Sequence, residues 1–482
     1  MGTHAVVNHI NNTAETLAAR LAADFPDDFA PSRPLWTSGA PRVLDVMGGI
    51  AECCGSLTLS YPLAAGVTVG VQPRDDGQVC IVRLQRESSR STNTTPSTDR
   101  VCVPLDRMRA SNGHPAHGDR LAESLCPGEQ RWALPMVAAF LEALTRGCDT
   151  SLDGGLTVAV DNDFAWDEEQ SATCALVTST ILATAVAGDE SLEAEQLAGL
   201  TQRVLRRVHG NVYGVSASAC AAFGERDVLL KMNCQPFEAL GSLPLPAGTA
   251  LCGVDCGDTS PTSNAKYHRA RVAALMGRTI IERILAGSDS RGLPWGGYLA
   301  QISVNDYVES LRDQLPTRMS GQVYLDRFGA LGDPFSAIDA EADYRIRSRT
   351  EHQIYENVRV HQFAQRLALA SRTNGPDALL AAGELMHASH WSYGQRCGLG
   401  CIPIDAVVSR LRRCGPDRGI YGARISGRGA GGMVAVLLSD TESARAALRE
   451  SVSAVEERVG RALPIYEGSS ASSFQRGVHQ FG

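Results

Sequence analysis

The chain has 482 residues, 44% of them hydrophobic and 20% charged, with a formal net charge of −8. That length exceeds what one hydrophobic core organises, so two domains are expected, and the composition is that of an ordinary globular protein. The acidic balance argues against a nucleic-acid or anionic-membrane surface, no apolar run reaches a spanning length, and neither a signal peptide nor a membrane span is expected. A cytoplasmic protein with neither nucleic-acid nor membrane partners is therefore expected. Lys231 and Lys266 are the only lysines, which confines amine chemistry to two positions. The fourteen cysteines include the pair Cys53-Cys54 and the spacings Cys252/Cys256 and Cys397/Cys401. None has the C-x2-C spacing of a structural zinc site, and reduced, buried thiols are expected.

In chain order, a helical pattern over Asn12 to Asp24 leads into the proline-rich "FPDDFAPSRP", and strand signals begin at Val43. "SLTLSYPL" and "VTVGVQP" alternate as half-buried strands do, and "VCIVRLQ" follows. "RESSRSTNTTPSTDR" (86 to 100) lacks apolar residues and is expected to be a surface loop. Gly128 to Thr145 reads as an amphipathic helix, Leu156 to Val160 as a strand and Ala175 to Ala187 as a helix. "SLEAEQLAGLTQRVLRRVHG" is a helix closed by Gly210. "VLLKMNC" and "ALCGVDCG" read as buried strands, and "ALGSLPLPAG" near residue 240 as the linker. Helices are expected over His268 to Ala286, Glu356 to Ser371 and Ala378 to Tyr393, then the strands "YGARISG" and "MVAVLLS".

The segment "DNDFAWDEEQSATCA" (161 to 175) poses a problem of charge. Strand, loop and helix N-terminus in that order make an anion cradle, because free backbone N–H groups and the helix dipole face the loop. Yet this loop carries Asp161, Asp163, Asp167, Glu168 and Glu169 and no glycine.

"LDVMGGIAECCGSLTLSYPL" (44 to 63) resembles the GHMP small-molecule kinases, the L-arabinokinase and galactokinase branch above all. The resemblance continues in order through "NCQP", "GVDCGDTS", "YHRARVAALMGR", "GGYLAQIS", "DPFSAID", "IYENVRV", "GELMHASHWSYGQRCGLG" and "ISGRGAGG". It implies an α/β (α+β) two-domain GHMP-kinase-like fold with the ligand cleft between the domains. The segments expected are an extension over 1–38, an N-terminal domain over 39–240 and a C-terminal domain over 241–482.

Active members of such a family need a glycine-rich phosphate loop, a metal carboxylate, an aspartate at the sugar hydroxyl and an arginine balancing charge. By the resemblance, the phosphate-loop glycines fall on Asp167 and Glu169, with Ser171 and Thr173 left as helix caps. The metal carboxylate falls on Val177 and the aspartate on Ala217. The arginine position holds Val43, with Arg42 one residue early and expected on the opposite strand face. A carboxylate about 4 Å from a phosphate oxygen is repelled by roughly 4 kcal/mol at an effective dielectric near 20, so such a loop is a poor triphosphate host. Gly427, Gly429 and Gly431 belong to a stretch that packs beside the phosphate loop in the family; Arg428 interrupts it and either pairs with the loop acids or is solvated.

The sugar side is better kept. The resemblance assigns substrate contact to Gly48, Gly49, Glu52 (in place of an aspartate), Gly214, Asp255 and Tyr267. Glu52, Lys266 and Tyr267 are the candidates for proton transfer; for Lys266 the plain alternative is an exposed lysine. His387 and His390, three apart on a helix, and His352 lack the companions of a metal site; no metal is assigned. Cys220 is either a nucleophile or a buried small residue. The expectation is a GHMP-fold protein that has lost ATP-dependent phosphotransfer and binds or transforms a sugar or sugar-derived metabolite, with no cofactor. Two alternatives stay open: an active sugar 1-kinase using ATP and Mg²⁺ with Asp163 or Asp258 as base, and a ligand-responsive regulator or scaffold with a protein partner.

Overall fold

A computed structural model describes residues 14–26, 28–84, 100–108, 125–145, 154–162, 170–209, 214–257, 261–286, 296–333, 335–373, 375–429 and 432–482. The stretch 86–99, the acidic residues 163–169, Gly210, Asp258 and Gly431 lie outside them. The described helices are α1 (Ala14–Asp24), α2 (Leu134–Thr145), α3 (Gln170–Ala187), α4 (Ala194–His209), α5 (Ser216–Phe223), α6 (Pro261–Ala286), α7 (Gly321–Phe328), α8 (Ile346–Thr373), α9 (Pro376–Ser392), α10 (Ile402–Cys414), α11 (Glu442–Val459) and the short α12 (Ser473–Arg476). The strands are β1 (Leu35–Met47), β2 (Leu57–Pro73), β3 (Gln78–Arg83), β4 (Arg100–Pro104), β5 (Gly155–Asn162), β6 (Val228–Cys234), β7 (Phe237–Pro244), β8 (Thr249–Asp255), β9 (Met319–Ser320), β10 (Asp343–Tyr344), β11 (Ile420–Ile425), β12 (Met433–Ser439), β13 (Ile465–Tyr466) and β14 (Val478–Phe481).

These elements form two compact units, both discontinuous in sequence. One comprises Leu44–Tyr61 and Asp227–Gly468; the other takes the described residues up to Val43, Pro62–Arg226 and Ser469–Gly482. Strands β1 and β2 each begin in one unit and end in the other, and the last residues return to pair β14 with β1, Leu35 opposite Phe481. The segment 239–248, expected as a linker, is largely strand: β7 pairs antiparallel with β6, Leu229 opposite Leu243. Nearly all its side chains are exposed, and it is this missing apolar face that makes it read as a connection.

The unit that holds β5 is built on the sheet order β14-β1-β2-β5-β3-β4, with β3 and β5 parallel. Leu17 and Leu21 of α1 join Phe29, Leu35, Val82 and Ala159 in one apolar cluster on it. Helix α2 corrects the expectation of an amphipathic helix. It is buried from Leu134 to Leu144 because it packs against both α3 and α4, and its one acid, Glu142, is paired with Arg203 (3.1 Å) and Arg207. Helix α3 is buried on nearly every side. Its Thr178 and Thr180 hydroxyls donate to the carbonyls of Cys174 and Leu176, both at 2.8 Å, which satisfies polar groups that water does not reach.

The expectation of reduced thiols fails at one place: Cys80 and Cys102 form a disulfide. They are direct partners in the β3–β4 ladder, so the pairing is set by strand register, which a separation of 22 residues does not advertise.

In the other unit an antiparallel sheet runs β11-β12-β8-β13, and β12, entirely apolar up to Ser439, occupies its interior. Helix α9 lies against β11 at glycine contact distance. A Cβ on Gly383 would come within 1.8 Å of the Tyr421 carbonyl oxygen, and one on Gly422 within 2.6 Å of Gly383 Cα. Neither obstacle is a flexible side-chain tip, so the helix itself must shift. Gly383→Ala is expected to lower stability by about 1–3 kcal/mol, read as a lower urea midpoint at unchanged slope.

Candidate functional site

The site grows out of the end of β1. Gly48 (φ 116°) and Gly49 (φ 51°) reverse the chain into a 3-10 turn, Gly49–Cys54, which Gly55 (φ 82°) closes. At Gly49 a Cβ would sit 1.5 Å from the Tyr393 hydroxyl oxygen, so both the backbone conformation and the space require glycine there. The turn is fixed by two side chains from opposite ends of the chain. Asp45 accepts from Gly49 N–H (3.3 Å) with one oxygen and from Gly427 N–H (2.9 Å) with the other. Tyr393, from the turn after α9, accepts from Ile50 N–H and donates to the Gly427 carbonyl at 3.0 Å.

Beneath this lies a buried ionic chain. Arg424, fully buried on β11, sits 3.4 Å from Asp45, donates to the Val46 carbonyl at 3.0 Å and lies 3.9 Å from Glu356 of α8. Its guanidinium also lies 5.1 Å from the centroid of the Tyr393 ring. Glu356 takes further bonds from Arg359 (2.8 Å) and the Ser389 hydroxyl. Burial works against the Glu356 charge, but Arg359, His352, Arg424 and Ser389 outweigh it and hold the carboxyl at about 2. Asn357, next on α8, accepts from Leu57 N–H (3.0 Å) and donates to the Ala300 carbonyl (2.6 Å), which ties the end of the same turn to the helix.

The turn presents Glu52, 7% exposed, whose carboxylate accepts from the Cys234 thiol at 3.5 Å. Tyr267, buried on α6, stands in the same electrostatic neighbourhood. Burial first, then the negative charge of Glu52 and Cys53, push its phenol far up against the pull of Arg428 and Arg271. It is a neutral hydroxyl near neutral pH, suited to hydrogen bonding and not to proton abstraction. The Arg428 guanidinium stacks 4.8 Å above its ring. Glu52, Tyr267 and Arg428 are thus brought together with Gly48, Gly49, Gly427 and Gly429. Lys266 is not: it is exposed on α6 while its neighbour Tyr267 is buried, because successive helical residues diverge by about 100°. Asp255, buried at the end of β8, accepts from Gly257 N–H at 2.9 Å.

Gly214, Ser171, Thr173, Arg42, Val177, Ala217 and Cys220 belong to the other unit. Gly214 precedes α5. Ser171 and Thr173 are buried in the first turn of α3. Arg42 does not turn away from that helix as its offset predicted: fully buried, it donates from Nε to the Ser171 hydroxyl at 3.2 Å. A guanidinium is long enough to cover a one-residue displacement. Val177 is buried on α3 and Ala217 half-buried on α5. Cys220 is fully buried, and burial first, then Cys174, push its thiol well up, which removes it as a thiolate nucleophile. Asp167, Glu169 and Gly431 fall outside the described residues.

The three histidines are structural. Burial holds His352 at about 3, with its Nδ1 2.8 Å from the Ser392 hydroxyl, and His390 at about 4; His387 is also lowered by burial. Among the described residues, no group of three or more His, Cys, Asp or Glu side chains is arranged to hold a metal ion.

Asp45, Tyr393, Arg424, Glu356 and Asn357 were not singled out in the sequence. They lie inside the segments "LDVMGG", "IYENVRV", "ASHWSYG" and "ARISG", but they hold the turn and are not among the residues to which the resemblance assigns substrate contact.

Comparison with known proteins identifies the class. Residues 377–455 match the family model described as GHMP kinases C terminal. The chain is 27% identical over 480 residues to L-arabinokinase of Arabidopsis thaliana, covering 90% of this chain and 46% of that protein. It is 27% identical over 178 residues to galactokinase of Lactococcus lactis, covering 36% of this chain and 40% of that one. The chain therefore spans less than half the length of the curated relatives it matches. Its fold is that of Lactococcus lactis galactokinase complexed with galactose, at TM-score 0.69 and 17% identity over 96% of this chain and 99% of that one. Mevalonate kinase of Methanococcus jannaschii is similar at TM-score 0.55 and 10% identity, over 91% and 98%. The two-unit mixed α/β architecture is that of the GHMP small-molecule kinases. The family match and the sequence relatives support a GHMP-superfamily chain similar to arabinokinase and galactokinase.

Two measurements test the electrostatics of the site. Arg424→Met leaves Asp45 and Glu356 buried without their shared cation and is expected to cost about 3–5 kcal/mol in urea unfolding. His352 and His390 are neutral in the fold, with pKa values lowered from 6.5 to about 3 and about 4. The unfolded chain binds more protons between those values and 6.5, so stability falls as pH drops through that window. His390→Gln should flatten the slope of the urea midpoint between pH 6.5 and about 4.

Proposed function

We propose that this chain binds a sugar or sugar-derived metabolite through the Gly48–Cys54 turn and Tyr267, and acts without ATP-dependent phosphotransfer. One contrast carries the reading. The turn that bears Glu52 is pinned by Asp45, Tyr393 and Asn357, whereas the positions that the resemblance gives to the metal carboxylate and the aspartate are Val177 and Ala217, which ligate nothing. A carboxylate on a fixed turn accepts two adjacent hydroxyls, and a neutral phenol beside it donates or accepts a third bond. Glu52 is the group available for proton transfer; Asp255, in the same unit, belongs to the ligand set by resemblance. No nucleotide and no metal take part in this reading. The galactose held by the Lactococcus lactis galactokinase structure supports a sugar as ligand class.

A second reading, an ATP- and Mg²⁺-dependent sugar kinase, is favoured by Arg42, whose guanidinium reaches Ser171 in the first turn of α3 and would there supply the charge that Val43 cannot. The names of the sequence relatives favour it too.

A thermal-shift panel separates the two. Pentoses or hexoses alone are expected to raise the melting temperature, with no added effect of ATP-Mg²⁺. Glu52→Gln should weaken sugar affinity at least about tenfold, the value of one charged hydrogen bond. Sugar-dependent ADP release, lost in Arg42→Met, would replace the first reading with the second.

A further inference from the structure

We propose that Cys53 and Cys54 form a hydroperoxide-sensitive dithiol on the turn that carries Glu52, Cys53 being the attacking sulfur and Cys54 the resolving one. Successive side chains of a helical turn diverge by about 100–120°, so adjacent cysteines normally hold their sulfurs apart. Here the two Sγ atoms are 3.7 Å apart, in contact. The Arg271 guanidinium stands beside Cys53 and is itself fixed by the Ser336 hydroxyl (3.1 Å) and by Asp333 (2.9 Å). The two thiols are unequal. The Cys54 thiol donating to Cys53, helped by Arg271, holds Cys53 below the ordinary thiol range despite burial, and the same bond pushes Cys54 well above it. A thiol lowered in this way, with its sulfur in contact with a second, raised thiol, is the pairing that attack and resolution require.

Selectivity follows from the surroundings of the other sulfurs. Burial pushes up Cys126, Cys220, Cys234, Cys252, Cys256 and Cys397, which leaves them as inert thiols. Cys53 keeps 6% exposure next to Glu52, and oxidation proceeds through that edge of the turn. The Cys53 thiolate attacks one peroxide oxygen, the O–O bond breaks, and the departing alkoxide or hydroxide takes a proton, leaving Cys53 as the sulfenic acid. The Cys54 sulfur then displaces hydroxide from it, and the thiol proton leaves with that hydroxide as water. Two thiols are oxidised by two electrons to a disulfide, and the hydroperoxide is reduced to an alcohol or water. The proposal stands apart from the sugar reading, since it needs no ligand at Glu52.

Peptide mapping of the full wild-type chain after hydrogen peroxide, with remaining thiols alkylated in denaturant, tests it. The peptide containing Cys53 and Cys54 should lose two hydrogens, resist alkylation until dithiothreitol is added, and react at least about tenfold faster than the half-buried Cys401 and Cys414. In Cys54→Ser, Cys53 should accumulate as a sulfenic acid trapped by dimedone; in Cys53→Ser, Cys54 should stay unlabelled. Alkylation of both sulfurs in the wild type, while Cys401 or Cys414 oxidise first, overturns the proposal, as does undiminished dimedone labelling of Cys54 in Cys53→Ser. The wild-type map decides the matter even where a variant fails to fold.

Discussion

The unit that carries Glu52 depends on one buried cation. Arg424 takes Asp45 on one side and Glu356 on the other, and through them it joins the end of β1, the middle of α8, Ser389 of α9 and Gly427. Removing a guanidinium from water is costly, and its attraction to two carboxylates offsets that cost only when the remaining hydrogen bonds are also made. Here the Val46 carbonyl and the Tyr393 ring face meet part of that demand. The arrangement gives specificity of position more than net stability: Asp45 points one oxygen at Gly49 and the other at Gly427, so both glycines are held at one carboxylate.

That network also explains why the resemblance to sugar kinases surfaced as short segments in order and not as one long match. Asp45, Glu356 with Asn357, Ser389 with Tyr393, and Arg424 with Gly427 each sit in one of the resembling segments, and each needs the others in place. A change in any one leaves a buried donor, acceptor or charge without its partner. The phosphate-side positions carry no such mutual dependence. Val43 and Val177 are buried and Ala217 half-buried, and none of the three carries a polar group that needs a partner.

Much of the fold was legible because period and capping are local. The strands "VLLKMNC" and "MVAVLLS" and the cores of α6, α8 and α9 fall where hydrophobic spacing puts them. What was not legible depends on distant partners. The burial of α2 on all sides, the register that joins Cys80 to Cys102, and the strand character of β7 are set by neighbours far along the chain. At the site, glycines and Glu52 were visible through the resemblance, whereas Asp45, Tyr393 and Arg424 became visible only as contacts. Lys266 and Arg42 show how far a side chain's place departs from its position in the chain: Lys266 is exposed beside the buried Tyr267, and the Arg42 guanidinium reaches Ser171.

The passage of β1 and β2 from unit to unit has a practical corollary. A fragment beginning at residue 241 would lack Leu44–Tyr61, and with them Asp45, Glu52 and the backbone that β6 borders at Leu57 to Ser60. It would expose Arg424 with one anion gone and leave the remainder of β7 without its partner β6. The complementary fragment would keep β1 and β2 but strand their crossing halves in solvent. A cut in the stretch near 240 therefore falls inside the unit that carries Glu52, severing Leu44–Tyr61 from the residues they pack with, and frees no self-sufficient half.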